Sequence, residues 1–169
     1  MPIYLMSNGP MVTTAGPASV TTGNTIKTMM QIKPGTTSLV RIIEWGISFD
    51  GYTGATPIKV ELVETDVAAT VTAYVANDIC KIDSDALNSG DPTTSIISVG
   101  VSASGYTSTS EGSVTASRML DQQLVSPTSQ YLKQFPLGRE PVIQPGKFLR
   151  IRVTAGAAVN AYCYVVVSA

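Results

Sequence analysis

The chain contains no histidine, so the side chain that most often acts as a general base near neutral pH, and most often ligates metals, is missing. Serine–histidine and cysteine–histidine nucleophile pairs are excluded with it. Cysteine is nearly as scarce. Cys80 and Cys163 have no metal-ligand spacing and read as two free thiols rather than a disulfide. Charge is thin: 14% of residues ionise, against about 25% in a typical soluble domain, and 11 basic against 12 acidic residues leave a net charge of -1. With no basic stripe there is no footprint for a phosphate backbone, and nucleic acid is not an expected partner. No apolar run approaches the roughly 20 residues of a membrane-spanning helix, and Met1 to Pro17 lacks the basic-then-apolar pattern of an export signal. A membrane is not an expected partner either.

Hydroxyl groups replace the missing charge. The 169 residues include 20 Thr and 17 Ser. Thr is β-branched and prefers extended backbone. A neutral hydroxyl-rich surface also allows close protein neighbours, because little charge must be desolvated when a contact forms. The length fits one domain with an ordinary core.

Alternation of apolar and polar residues recurs along the chain. Residues 1–24 hold a short apolar run at Ile3 to Met6, then a Gly/Pro/Ser/Thr-rich stretch that fits an extended arm or a frayed terminus. Residues 25–169 read as one β-sandwich domain. TIKTMMQI is a strand, and Lys33-Pro34-Gly35-Thr36 a turn. SLVRIIEWGISFD is the longest strand: parity puts Leu39, Ile43, Trp45, Ile47 and Phe49 on one face and Val40, Ile42, Glu44, Gly46 and Ser48 on the other. Gly46 marks a bulge or bend. Ile58–Thr65 and Thr70–Val75 alternate likewise. Residues 76–112 are irregular, with a helical turn expected near Cys80 to Leu87, a short strand at Ile96 to Val101, and a small polar loop at SASGYTSTSEGS. Ser113 to Leu124 reads as strand more readily than helix, and Tyr131 to Phe135 as a short strand. FLRIRVT and AVNAYCYVVVS, joined by a short Gly-containing turn, read as a hairpin. The tally is about eight strands and no long amphipathic helix. This predicts an all-β fold, an antiparallel β-sandwich, with an eight-stranded jelly roll as the best-fitting form.

Candidate chemistry is sparse. Glu61 and Glu64 fall on opposite faces of a strand, and Glu44 and Asp50 lie about 20 Å apart along one. Asp83, Asp85, Asn88 and Asp91 are dense in oxygen, but they miss the EF-hand spacing and read as a loop with Asx turns rather than a calcium site. Arg150 and Arg152 share the polar face of one strand, where a neighbouring carboxylate is a better partner than nucleic acid. Arg41 needs a partner, for which Glu44 and Glu61 are candidates. Tyr52 and Tyr106 sit in Gly-rich loops and are candidate anchors for a neighbouring subunit or, alternatively, a glycan.

The combination of a Gly/Ser/Thr-rich leader, the strand RIIEWGISFDG, a soft Ser/Thr/Gly middle and the closing PGKFLRIRVTAGAAVNAYCYVVV resembles the small jelly-roll proteins that decorate or cement the capsids of tailed phages. The resemblance is one of layout over most of the chain. It implies a structural virion protein on the outer capsid surface, forming a homotrimer or other small ring and binding the major capsid protein. It implies no enzyme activity and no cofactor. Contacts to the capsid or next subunit are expected from the arm, including Pro2, Ile3 and Tyr4, and from Arg41, Tyr52, Tyr106, Arg150 and Arg152. The alternative is a carbohydrate-binding or tail-fibre β-sandwich module.

Overall fold

A computed structural model describes residues 1–12, 14–51, 56–83 and 96–169. Its strands are β1 (Ile3–Ser7), β2 (Val20–Thr21), β3 (Ile26–Ile32), β4 (Val40–Phe49), β5 (Ile58–Thr65), β6 (Thr70–Ala73), β7 (Cys80–Lys81), β8 (Gly105–Ser110), β9 (Ser117–Val125), β10 (Gln130–Gln134), β11 (Val142–Ile143), β12 (Phe148–Thr154) and β13 (Asn160–Ser168). A short 3-10 turn, Ala76–Asp78, is the only helical element among the described residues. They form two antiparallel sheets packed face to face. The first has the order β10-β4-β13-β1-β7, with β11 also on β4 and β2 on β13; the second has the order β6-β8-β3-β12-β5-β9. The expected all-β sandwich is what the chain adopts.

The core lies between the sheets, where Trp45, Met30, Ile42, Leu62, Ile151 and Val165 are buried with their neighbours. The face each strand turns inward departs from simple parity in β4. Glu44 pairs with Val166, but Ile42 pairs with Val167, so Ile43 is an extra residue. This β-bulge reverses the alternation. Val40 and Ile42 point inward before it, and Trp45, Ile47 and Phe49 after it. Leu39, grouped by parity with Trp45, is instead 43% exposed. The irregularity is therefore at Ile43 and not at Gly46.

A second bulge lies in β9. Leu62 pairs with Asp121 and Val63 with Met119, leaving Leu120 over. It turns Asp121 into the sandwich, where its carboxylate accepts hydrogen bonds from Trp45 Nε1 at 3.1 Å, Tyr131 OH at 2.9 Å and Lys133 Nζ at 3.1 Å. β9 and β10 are the end strands of their sheets on this flank. One carboxylate thus ties the two free edges together. Burial, then Asp121, raises the Tyr131 phenol to about 12.

Other expectations are corrected. Residues 1–24 are not a detached arm: β1 lies between β13 and β7, and β2 adds to β13. Asn8 locks the joint, its amide donating to Ala161 O and accepting from Cys163 N. FLRIRVT and AVNAYCYVVVS are not a hairpin, because β12 and β13 belong to different sheets. Each buries one apolar side, and facing sheets satisfy that as well as pairing would. The expected strand at Ile96 to Val101 shrinks to one bridge, Ile97 to Pro34. Part of the polar loop is β8, which fills a place between β6 and β3. There Gly105 approaches Thr72 so closely that a Cβ would lie 1.7 Å from its carbonyl oxygen. Of the expected helical turn near Cys80, residues 80–81 are extended and 84–87 lie outside the described residues.

The outer face of the second sheet is roofed by its own connections. The Gln31 amide donates to Ala69 O and Ala103 O and accepts from Ala69 N. Arg150, fully buried, donates to Glu111 O at 3.0 Å, to Glu111 Oε2 at 3.3 Å and to Val67 O. Glu111 also accepts from Thr28 N and Oγ1 at 2.7 and 2.6 Å. Asp66 clips the two connections together by accepting from the Thr115 hydroxyl and from the Thr115 and Ala116 amides.

Two outcomes follow from the roof. Arg150→Met should destabilise the fold by about 2–4 kcal/mol in urea denaturation, less than for a fully buried pair because Glu111 keeps Thr28 and Ser108 as donors. A loss below about 1 kcal/mol would show that Arg150 does not hold the roof. The Asp66 carboxyl is lowered from 3.8 to about 2, chiefly by the Thr115 hydroxyl and then the Ala116 amide. Its folded value lies below its unfolded value, so it stabilises the fold above about 4 and the contribution vanishes as pH falls through about 2. Carbon-detected NMR titration should place the Asp66 midpoint there, and Thr115→Val should move it upward; an unmoved midpoint would assign the shift elsewhere.

Candidate functional site

While the second sheet is roofed, the first presents an open outer face. The bulge at Ile43 decides its composition by turning Glu44, Gly46 and Ser48 outward on β4. Register then sets Leu132, Gly46 and Tyr164 in one cross-strand row, Gln130, Ser48 and Tyr162 in the next, and Gln134, Glu44, Val166 and Leu5 in a third. Residues directly opposite on neighbouring strands share a face and touch.

The centre of this face is a groove of about 210 Å³ whose floor is Gly46 and Ser48. Tyr162 and Tyr164 border it on the β13 side, and Gln130 and Leu132 on the β10 side. A Cβ on Gly46 would lie 2.6 Å from Tyr164 Cε1, so the ring rests on the glycine backbone. The Tyr164 hydroxyl donates to Glu44 Oε1 at 2.5 Å. The two tyrosine rings stack, with centroids 6.4 Å apart and planes at 29°. Burial raises both phenols above their ordinary value, and Glu44 raises Tyr164 further. They stay protonated donors across the physiological range.

Few charges border the groove. Lys133 turns inward to Asp121. Glu44 is engaged by Tyr164 and, at 3.4 Å, by the Gln134 amide. Elsewhere the described carboxylates also have structural partners: Glu61 pairs with Lys59 and Arg152, Glu64 with Arg118, and Asp50 accepts from Asn160. Among the described residues no three Cys, Asp or Glu side chains are grouped to hold a metal ion. Asp83 accepts from Ile3 N at 3.3 Å; Asp85, Asn88 and Asp91 lie outside the described residues. Cys80 and Cys163 are unpaired, and burial raises the Cys163 thiol well above its ordinary value, leaving it unreactive.

The candidate interface residues scatter. Tyr4 is buried in the core rather than presented at a surface, because its side of β1 faces the second sheet. Ile3 is half-buried on the open face beside Ser168, and Pro2 O accepts from Ala169 N. Arg150 is sealed under the roof, and Arg152 pairs with Glu61 at 3.5 Å, so the carboxylate partner expected of this pair lies within the chain. Arg41 pairs with neither Glu44 nor Glu61 among the described residues; the bulge puts it on the outer side, half-exposed, with its strand flanked by β11. Tyr106 is not on a loop: it lies in β8, packed on Tyr74 with ring centroids 5.5 Å apart. Tyr52 lies outside the described residues.

Alternation along AVNAYCYVVVS, with Ala161, Cys163 and Val165 inward, turns Tyr162 and Tyr164 outward but gives them no role. Two tyrosines spaced two apart on a strand were a visible signal. That a glycine faces one of them was not, since only register reveals it.

Comparison with protein families, with curated proteins and with solved structures finds no match to this chain. What the fold defines is an antiparallel β-sandwich with one roofed sheet and one open sheet.

Gly46→Val tests the floor of the groove. The new side chain must displace the Tyr164 ring, at an expected cost of about 1–3 kcal/mol in urea denaturation. Stability within about 0.5 kcal/mol of the parent would mean the ring does not rest there.

Proposed function

We propose that this chain is a structural subunit of a virus particle: a capsid decoration or cement protein that sits on the outer capsid surface as a small homo-oligomer, a trimer in the reading the resemblance suggests, and binds the major capsid lattice. No catalytic step and no cofactor enter this reading.

The observation that carries it is the division of charge and apolar surface on one flank. Where β9 and β10 end the two sheets, Asp121 is turned inward and pairs with Lys133, whose side chain is 37% exposed, while Met119, Leu124 and Leu132 on these strands and Leu137 in the turn after β10 are 47, 71, 58 and 96% exposed. Of the outward cations here, Arg118 is already bound to Glu64 at 2.7 Å, and Arg139 lies exposed two residues beyond Leu137. End strands carry unpaired backbone groups, and monomers usually guard them with outward charge or proline. An end strand with bare leucines instead suits a protein neighbour.

Strand order supports the jelly-roll form of the sandwich. Setting aside the short β2, β7 and β11 and the β6-β8 pair added beyond β3, β1-β13-β4-β10 are neighbours in one sheet and β3-β12-β5-β9 in the other. That is the order expected of two interlocked Greek keys. From the expected arm, Met11 and Val12, at 40 and 49% exposed, remain free to reach a neighbour.

Light scattering of the purified chain should give a discrete oligomer, and the chain should co-sediment with phage heads assembled without it. Leu124→Glu combined with Leu137→Glu should weaken self-association by about tenfold or more. A strict monomer at high concentration that leaves such heads unbound would end the proposal.

A further inference from the structure

We propose that the groove between the tyrosine pair and β10 is a saccharide-binding site, taking a neutral sugar ring of a glycan against Tyr162 and Tyr164. This does not rest on the assembly reading: Leu132 borders both the flank and the groove, but Met119, Leu124 and Leu137 do not line the groove.

The argument begins with rigidity. Tyr164 is held by three features: its ring lies on Gly46, its hydroxyl is bound to Glu44, and its neighbour Tyr162 stacks beside it. Aromatic rings fixed before binding lose little freedom when a ligand arrives. Sugar rings offer one apolar face of C–H groups and a rim of hydroxyls, and an aromatic wall with neutral hydrogen-bonding groups nearby matches both.

The floor and wall of the groove supply those groups. Ser48 on the floor and Gln130 on the β10 side share a row with Tyr162, and Gln134 lies outside the lining, beside Glu44. A hydroxyl and two amides can each donate and accept, as a sugar hydroxyl does. Among the described residues no ionised side chain lines the groove; Glu44 is engaged by Tyr164, and Lys133 by Asp121. An anionic ligand would find no cation here, which argues for a neutral one. The groove, at about 210 Å³, holds a sugar ring but not an extended apolar ligand. A leucine or phenylalanine from a second copy would use Leu132 but leave the Ser48 and Gln130 groups without partners.

The test is a set of amide NMR titrations of the full chain with cellohexaose, chitohexaose and maltohexaose, each repeated at high NaCl. Binding of at least one of them should shift the amides of Gly46, Ser48, Leu132 and Tyr164, with an affinity that salt leaves unchanged. Tyr164→Ala should weaken that binding by about tenfold or more, and Tyr164→Phe, which keeps the ring, by no more than about threefold. Gln130→Ala, at an exposed position that folding does not depend on, should weaken it by about threefold. No shift with any of the three sugars at about 10 mM would overturn the site. So would a folded Tyr164→Ala that binds as well as the parent, or shifts of these amides with protein concentration alone, which would assign the face to a second copy.

Discussion

One inserted residue in β4 controls how this molecule divides inside from outside. A strand turns alternate side chains to opposite faces, so a stretch with apolar residues at both parities cannot bury all of them without a break. The bulge at Ile43 is that break. It lets Val40 and Ile42 join Trp45, Ile47 and Phe49 in the core. By the same step it sends Glu44, Gly46 and Ser48 to the outer side, where Gly46 and Ser48 become the floor of the groove and Glu44 holds the Tyr164 hydroxyl. Without the bulge, Trp45 and Ile42 would face opposite ways. The bulge in β9 does a related thing for Asp121, which then meets Trp45, Tyr131 and Lys133 inside the sandwich.

Charge follows the same division. A chain with few ionisable groups places several of them where they hold parts together. Asp121 joins the two sheet edges, Arg150 and Glu111 fasten the roof of the second sheet, and Asp66 clips the roof's two connections. Of these, Arg150–Glu111 and Lys133–Asp121 each bury one partner, which makes that partner costly to leave alone, whereas Asp66 lies at the surface. Their effect here is positional. What remains on the open face and the β9–β10 flank is tyrosine, leucine, hydroxyl and amide, which is the surface from which both proposals are argued.

Much of the fold was legible in the sequence because period-two alternation is a local property. Ile58 to Thr65, Phe148 to Thr154 and the final strand could be read from spacing alone. The outward tyrosines of β13 were legible in the same way. The interface candidates fared worse. Tyr4, Arg150 and Tyr106 look like surface residues in a linear reading because the residues that cover them lie far off in the chain: Arg150 is covered by Glu111 and Val67, and Tyr106 by Tyr74.

The sequence by itself determined that this chain builds strands rather than helices, that their apolar sides must meet across two sheets, and that no histidine-based chemistry is available. Those are matters of composition and spacing, which each segment carries alone. Only the tertiary structure decided which strands pair, where one extra residue reverses a face, and that Gly46 lies beneath Tyr164. Register is set by the packing of segments more than a hundred residues apart, and no local pattern encodes it.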